Sequence, residues 1–127
     1  MTAPNVVNVI VCDLVTQEVT GKFTCVGIYP AASIALSMVP GRVMLSFYME
    51  VIGRAAGQVS GTYQLRYLGS TQVLATDTFS FLSAPDTRMP LYTKPISFMA
   101  PAEGQYVLEW FFDGHWSEIT RFHIGKS

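Results

Sequence analysis

A chain of 127 residues, half of them hydrophobic, has the length of a single domain, residues 1–127, and enough apolar side chains for a core. Its eight basic residues are scattered singly and its formal net charge is −1, so no cluster could neutralise a run of phosphates and nucleic-acid binding is disfavoured. Charged residues make up only 13% of the chain, about half the usual share. The surface must then be unusually neutral, and because neutral apolar patches commonly mark contact with another chain, we expect a homo-oligomer or a protein partner.

The first apolar run, residues 6–15, indicates a strand rather than a secretion leader or a membrane span. No basic segment precedes it, and Asn8 and Asp13 interrupt it. We therefore expect a cytoplasmic protein that makes no contact with a membrane.

Residues 22–30 are expected to fold back on the first run as a hairpin. If Val15 faces Lys22, Cys12 falls opposite Cys25 on one face, which would permit oxidation. The absence of a secretion signal favours reduced thiols, and free cysteine is commonly buried. We therefore expect two buried thiols that pack as small apolar groups.

The central part of the chain contains two clear strand patterns. Residues 62–68 alternate apolar and polar side chains, with Tyr63, Leu65 and Tyr67 on the apolar side. Residues 42–52 alternate less strictly, and their inward set is expected to be Val43, Leu45, Phe47, Met49 and Val51. Residues 30–41, which begin and end near prolines, fit either a short helical turn or a loose edge segment.

Asp77 interrupts the apolar row of the next run, residues 72–82. It shares its parity with Phe79 and Phe81, and an inward carboxylate is costly unless it is hydrogen-bonded or paired. We expect a bulge at residues 76–78 that rotates Asp77 outward.

The last third of the chain predicts an edge strand and a tight corner. Pro95, within residues 90–99, cannot donate to a strand ladder and so indicates an edge. Tyr106 lies two residues after Gly104 at the start of a strand, as in the tyrosine corner of immunoglobulin-like domains. Together the runs predict an all-β fold, an immunoglobulin-like antiparallel β-sandwich of seven or eight strands.

The dipeptide Asp113-Gly114 predicts a two-residue type I′ hairpin turn. Counting back from it pairs Phe111 with Trp116, and both point outward, while most of the other aromatic side chains of residues 104–116 are expected to enter the core. These two residues are our candidate interaction surface. The same count sets Glu109 against Glu118, which leaves three alternatives: a longer loop with another register, two carboxylates in water, or a pair that shares a proton.

Patterns that would indicate catalysis or metal binding are weak. The chain has no Gly-x-Ser-x-Gly sequence, and its final Gly-Lys-Ser lacks the earlier glycine of a phosphate-binding loop. We predict no catalytic, cofactor-binding or metal-binding residues, and therefore a protein that is not an enzyme. Asp13 could be a ligand or base at the mouth of the sandwich, but capping of backbone amides near the hairpin turn is favoured.

The opening of the chain resembles an uncharacterised bacterial family of small single-domain proteins of unknown function. The resemblance lies in Cys12-Asp13, Gly21-Lys22 and Gly27-Ile28, and in a later strand that runs from Gly104-Gln105-Tyr106 to Asp113-Gly114. It implies an immunoglobulin-like sandwich and no catalytic residues.

These patterns lead to two functional hypotheses. The first is a non-enzymatic β-sandwich module that acts through protein contact or self-association, through an edge strand or the surface around Phe111 and Trp116. The alternative is a sandwich that binds a small molecule or a carbohydrate, with Trp110 or Trp116 as a stacking platform.

Overall fold

Two sheets, antiparallel except for one short parallel edge strand, face each other across an apolar core in the computed structural model, which describes residues 3–127. The strands are β1 Asn5–Cys12, β2 Leu14–Gln17, β3 Phe23–Val26, β4 Ser33–Leu36, β5 Gly41–Ile52, β6 Gly57–Tyr67, β7 Val73–Ser83, β8 Arg88–Tyr92, β9 Ile96–Ala100, β10 Gly104–Phe112 and β11 His115–Lys126. The first sheet has the order β1-β5-β8, with β9 also pairing to β5, and the second has the order β4-β11-β10-β6-β7. A separate two-stranded sheet is formed by β2 and β3.

The predicted all-β sandwich is confirmed, and its connectivity follows the immunoglobulin-like pattern. The order β1-β5-β8 opposite β11-β10-β6-β7 corresponds to strands A-B-E opposite G-F-C-C′ of that fold. The described residues form eleven strands rather than the seven or eight expected. The count rises because the first run divides at Asp13, the run at 90–99 divides near Pro95, and Ser33–Leu36 adds a short strand parallel to β11.

The core is built by the inward rows that the sequence predicts. All five inward residues of β5 are buried, and Tyr63 and Leu65 of β6 face them from the second sheet. Tyr106 is fully buried and its hydroxyl donates a hydrogen bond to the backbone carbonyl of Ala102, which confirms the tyrosine corner. This bond fixes the chain where it enters β10.

The final hairpin has the predicted turn. Asp113 and Gly114 have φ of 53° and 80°, as both central positions of a type I′ turn require. Phe112 pairs with His115 and Phe111 with Trp116, so the register counted from the sequence is confirmed.

The register predicted for the first hairpin is wrong. Val15 pairs with Cys25 rather than with Lys22, and Cys12 pairs with Ser46 across β1 and β5. Residues 18–22 form a longer loop than the prediction allowed.

The β2–β3 hairpin lies over the outer face of the first sheet. Phe23 contacts Tyr48 and Tyr92 there, at ring-centroid distances of 5.5 and 5.4 Å. Both thiols are free, but only Cys12 is buried, since Cys25 is partly exposed.

The two segments that contain prolines lie at sheet edges. Residues 30–41 contain both features that the sequence allowed, a 3-10 turn at Pro30–Ala32 and the edge strand β4. Residues 90–99 follow one edge of β5, as predicted, with Thr93 bridging the break through backbone and side-chain hydrogen bonds to Phe47. No helix within residues 3–127 has the length and apolar character needed to span a membrane.

Candidate interaction surface and side cleft

Phe111 and Trp116 stand side by side on the outer face of the second sheet, as the sequence predicts. Their ring centroids are 5.2 Å apart in an edge-to-face arrangement, and the residues are 43% and 37% exposed. Strand alternation explains the exposure, because Trp110 and Phe112 on either side of Phe111 turn into the core.

On the side of β6, the positions next to Phe111 carry no charge. Trp110 pairs with Tyr63 of β6, so Phe111 lies beside Thr62, and Ser60 is the next residue on the same side of that strand. We refer to Ser60, Thr62, Phe111 and Trp116 as the neutral aromatic face.

Charged side chains border this face, and they decide between the three alternatives for Glu109. Glu109 does pair with Glu118, so the alternative of a longer loop with another register is wrong. Glu109 is buried, so the alternative of two carboxylates in water is wrong as well. Gln64 and Arg66 donate hydrogen bonds of 2.7 and 2.9 Å to its carboxylate, while Glu118 pairs with Arg121 at 2.8 Å. Burial by itself would raise the pKa of the Glu109 carboxyl, but these hydrogen bonds lower it below its usual value, which is contrary to a shared proton.

The two tryptophans have different environments. Trp110 is only 3% exposed and its ring packs against Phe112 at 5.3 Å, so it cannot be the open stacking platform that we considered. Trp116 alone keeps the exposure that such a platform requires.

Asp13 has a structural contact, though not the expected one. Its carboxylate accepts a hydrogen bond from the Tyr29 hydroxyl rather than capping a backbone amide, and this bond is the main reason why the pKa of Tyr29 rises to about 12. Gly27 has a φ of 69°, and a Cβ there would lie 2.1 Å from Asp13 Oδ2, so any other residue would be strained and would displace the Asp13 carboxylate. The contact therefore joins Cys12-Asp13 to Gly27-Ile28, two parts of the opening motif.

The bulge predicted at residues 76–78 is not there. Asp77 stays in the ladder opposite Tyr63, and the register shift lies between Leu65 and Arg66, which leaves Leu74 as the extra residue of β7. Asp77 therefore keeps its inward parity, yet it is exposed because β7 is an edge strand at an opening between the sheets. Its carboxylate accepts hydrogen bonds from the Tyr63 hydroxyl at 3.3 Å and from the Thr78 amide at 2.8 Å.

That opening leads into a cavity of about 210 Å³ between the two sheets, which we call the side cleft. Buried apolar and aromatic residues form its floor, and Asp77 and Lys94 lie on its rim; the floor includes Met49, Tyr63, Trp110 and Ile119. The sequence patterns did not predict this cleft. The one signal that could have indicated it was a carboxylate in an otherwise apolar row.

In the part of the chain that the structure describes, no group of three or more His, Cys, Asp or Glu side chains could hold a metal ion. The fold and these sites define an all-β sandwich with an exposed aromatic face and a small cleft between its sheets. No protein-family model and no curated protein matches the chain. The resemblance to a bacterial family of unknown function therefore stays a prediction.

Proposed function

We propose that this protein is a cytoplasmic, non-enzymatic β-sandwich module that acts by protein contact, and that the contact is self-association through the neutral aromatic face. The observation that carries the proposal is the exposed pair of Phe111 and Trp116 beside the uncharged residues Ser60 and Thr62 of β6. Interfaces between proteins are enriched in aromatic side chains, and their centres are depleted of charged ones.

The choice of a second copy of this chain as the partner rests on charge and on area. In a two-fold dimer the same patch meets itself, and the four residues of the neutral aromatic face carry no charge that would need an opposite charge on the other copy. An aromatic side chain has about 200 Å² of surface, of which about two-fifths is exposed in Phe111 and in Trp116. Covering this exposed area in a dimer would contribute about 2 kcal/mol per ring to the free energy of association.

Sedimentation velocity at tens of micromolar tests the proposal. The wild-type protein should sediment faster than a monomer, as a monomer–dimer mixture does, and a variant that carries Phe111→Thr and Trp116→Thr should sediment as a monomer, since threonine preserves strand propensity but removes the rings. Met44→Thr is the matched control, because Met44 is an exposed apolar residue of β5, in the other sheet. A monomeric wild-type protein, or a double variant that still forms the dimer, would contradict the proposal.

Binding of a small molecule is the second candidate, and the side cleft is the feature that favours it. Carbohydrate stacking on Trp116 has less support, because that ring lies on an open sheet face without a surrounding pocket.

A further inference from the structure

We propose that the side cleft binds a small zwitterion with one apolar group, the chemical class of the free hydrophobic α-amino acids. The proposal does not depend on self-association, since the cleft lies between the sheets and the neutral aromatic face lies outside them. It stands on three features of the cleft: its apolar floor, the fixed carboxylate on one rim and the cation on the other.

The floor of the cleft fits a ring or a branched aliphatic group. Tyr63 and Trp110 are buried there, and Phe79 packs against Trp110 at 5.8 Å. An engineered cavity of about 150 Å³ with apolar walls is large enough for benzene. At about 210 Å³ the side cleft has room for such a group together with the carbon atoms that connect it to the rim.

Asp77 is held in place to receive an ammonium group. The Tyr63 hydroxyl and the Thr78 amide each donate a hydrogen bond to its carboxylate, which fixes its orientation at the edge of the aromatic wall. Burial and the nearby Asp77 raise the pKa of Tyr63, so its hydroxyl remains a neutral donor. An ammonium group at this position would gain both a charge-assisted hydrogen bond and the attraction of the ring faces.

Lys94 supplies the opposite charge from the other sheet. It lies in the segment between β8 and β9, on the rim of the same cavity. Among residues 3–127, Lys94 and Asp77 form no ion pair within 4.0 Å, either with each other or with another charged side chain. A zwitterion would contact both charged side chains, whereas a simple amine or a simple acid would contact only one of them.

Three compounds with the same phenylethyl skeleton test this inference on the intact protein by NMR titration. L-Phenylalanine carries both charged groups, phenethylamine lacks the carboxylate and 3-phenylpropionate lacks the ammonium group. L-Phenylalanine should shift the indole N–H signal of Trp110 but not that of Trp116, and should bind about tenfold more tightly than either analogue. No shift at about 10 mM, equal binding of the three compounds, or a shift confined to Trp116 would overturn the proposal.

Two near-isosteric variants distinguish the roles of the charges. Asp77→Asn should weaken L-phenylalanine about tenfold and leave 3-phenylpropionate unchanged, while Lys94→Gln should weaken L-phenylalanine and leave phenethylamine unchanged. Asp86→Asn, at an exposed turn outside the cleft, is the matched control. If both cleft variants bind all three compounds as the control does, the assignment is wrong. Sedimentation of the same variants should be unaltered, which separates a failure here from a failure of the self-association proposal.

Discussion

Replacing Arg66 with methionine should destabilise the protein more than replacing its partner Glu109 with glutamine. The Glu109 side chain is 8% exposed and that of Arg66 is 29% exposed. Arg66→Met therefore leaves an unpaired carboxylate that is buried, whereas Glu109→Gln leaves an unpaired guanidinium that is partly exposed. Removing one member of a buried pair costs about 3–5 kcal/mol, and because Gln64 still donates to the stranded carboxylate we expect about 2 kcal/mol for Arg66→Met. Glu109→Gln leaves a guanidinium that can reach water, and should cost about 1 kcal/mol.

Thermal unfolding followed by circular dichroism near neutral pH measures this difference. For a domain of this size about 1 kcal/mol corresponds to about 4 °C, so the expected decreases in Tm are about 8 °C and about 4 °C. Arg121→Met is the control, because its pair with Glu118 is exposed and should be worth less than about 1 kcal/mol. If Glu109→Gln is as damaging as Arg66→Met, the argument from burial is refuted.

The same pair predicts a dependence on pH. The pKa of the Glu109 carboxyl is lower in the folded protein than in an unfolded chain, so the stability that it contributes is present above the unfolded pKa and is lost as the pH falls through the folded pKa. Glu109→Gln should lack this acid-dependent component. In Arg66→Met the buried carboxyl loses its cation and its folded pKa rises, so the stability gap to the wild-type protein should narrow on acidification.

Three further variants and reactions test the fold. Tyr106→Phe removes the corner hydrogen bond and should lower the free energy of unfolding, measured with urea, by about 1–2 kcal/mol. An unchanged free energy of unfolding would show that the tyrosine corner does not stabilise the fold. Gly27→Ala should lower the free energy of unfolding by more than about 2 kcal/mol, because it combines a positive φ with a clash. Gly21→Ala, at a positive φ in open space, should lower it by about 1 kcal/mol. Equal losses for the two variants would contradict this reasoning. Iodoacetamide at pH 8 should alkylate Cys25 well before Cys12, because burial and the neighbouring Cys25 thiol raise the pKa of Cys12 to about 11. The reverse order of alkylation, measured by mass spectrometry, would be inconsistent with the packing of the hairpin.

Local chemistry explains which parts of the fold the sequence could predict. The turn at Asp113-Gly114 needs two positive φ values, so it determined the register of the last hairpin down to the pairing of Phe111 with Trp116. Strict side-chain alternation likewise identified the inward row of β5, because that row faces a single continuous core.

Features that depend on distant contacts could not be predicted in this way. The first hairpin has a longer loop, in which the Glu18 amide donates to the Lys22 carbonyl, and this loop shifts the pairing of Val15 by three residues from that expected. Asp77 has the parity that the sequence assigned to it, but its exposure comes from the gap between two edge strands, which no pattern within β7 reports. The neutralisation of Glu109 by Arg66 likewise arises across strands far apart in sequence.

A concentration series of amide NMR spectra tests the central claim, self-association through the neutral aromatic face, most directly. As the protein is diluted from about 500 to about 5 μM, the range over which a weak dimer dissociates, the signals of Thr62, Phe111 and Trp116 should shift together while that of Met44 on the other sheet stays constant. Signals that are unchanged throughout, or shifts that centre on Met44, would contradict the account.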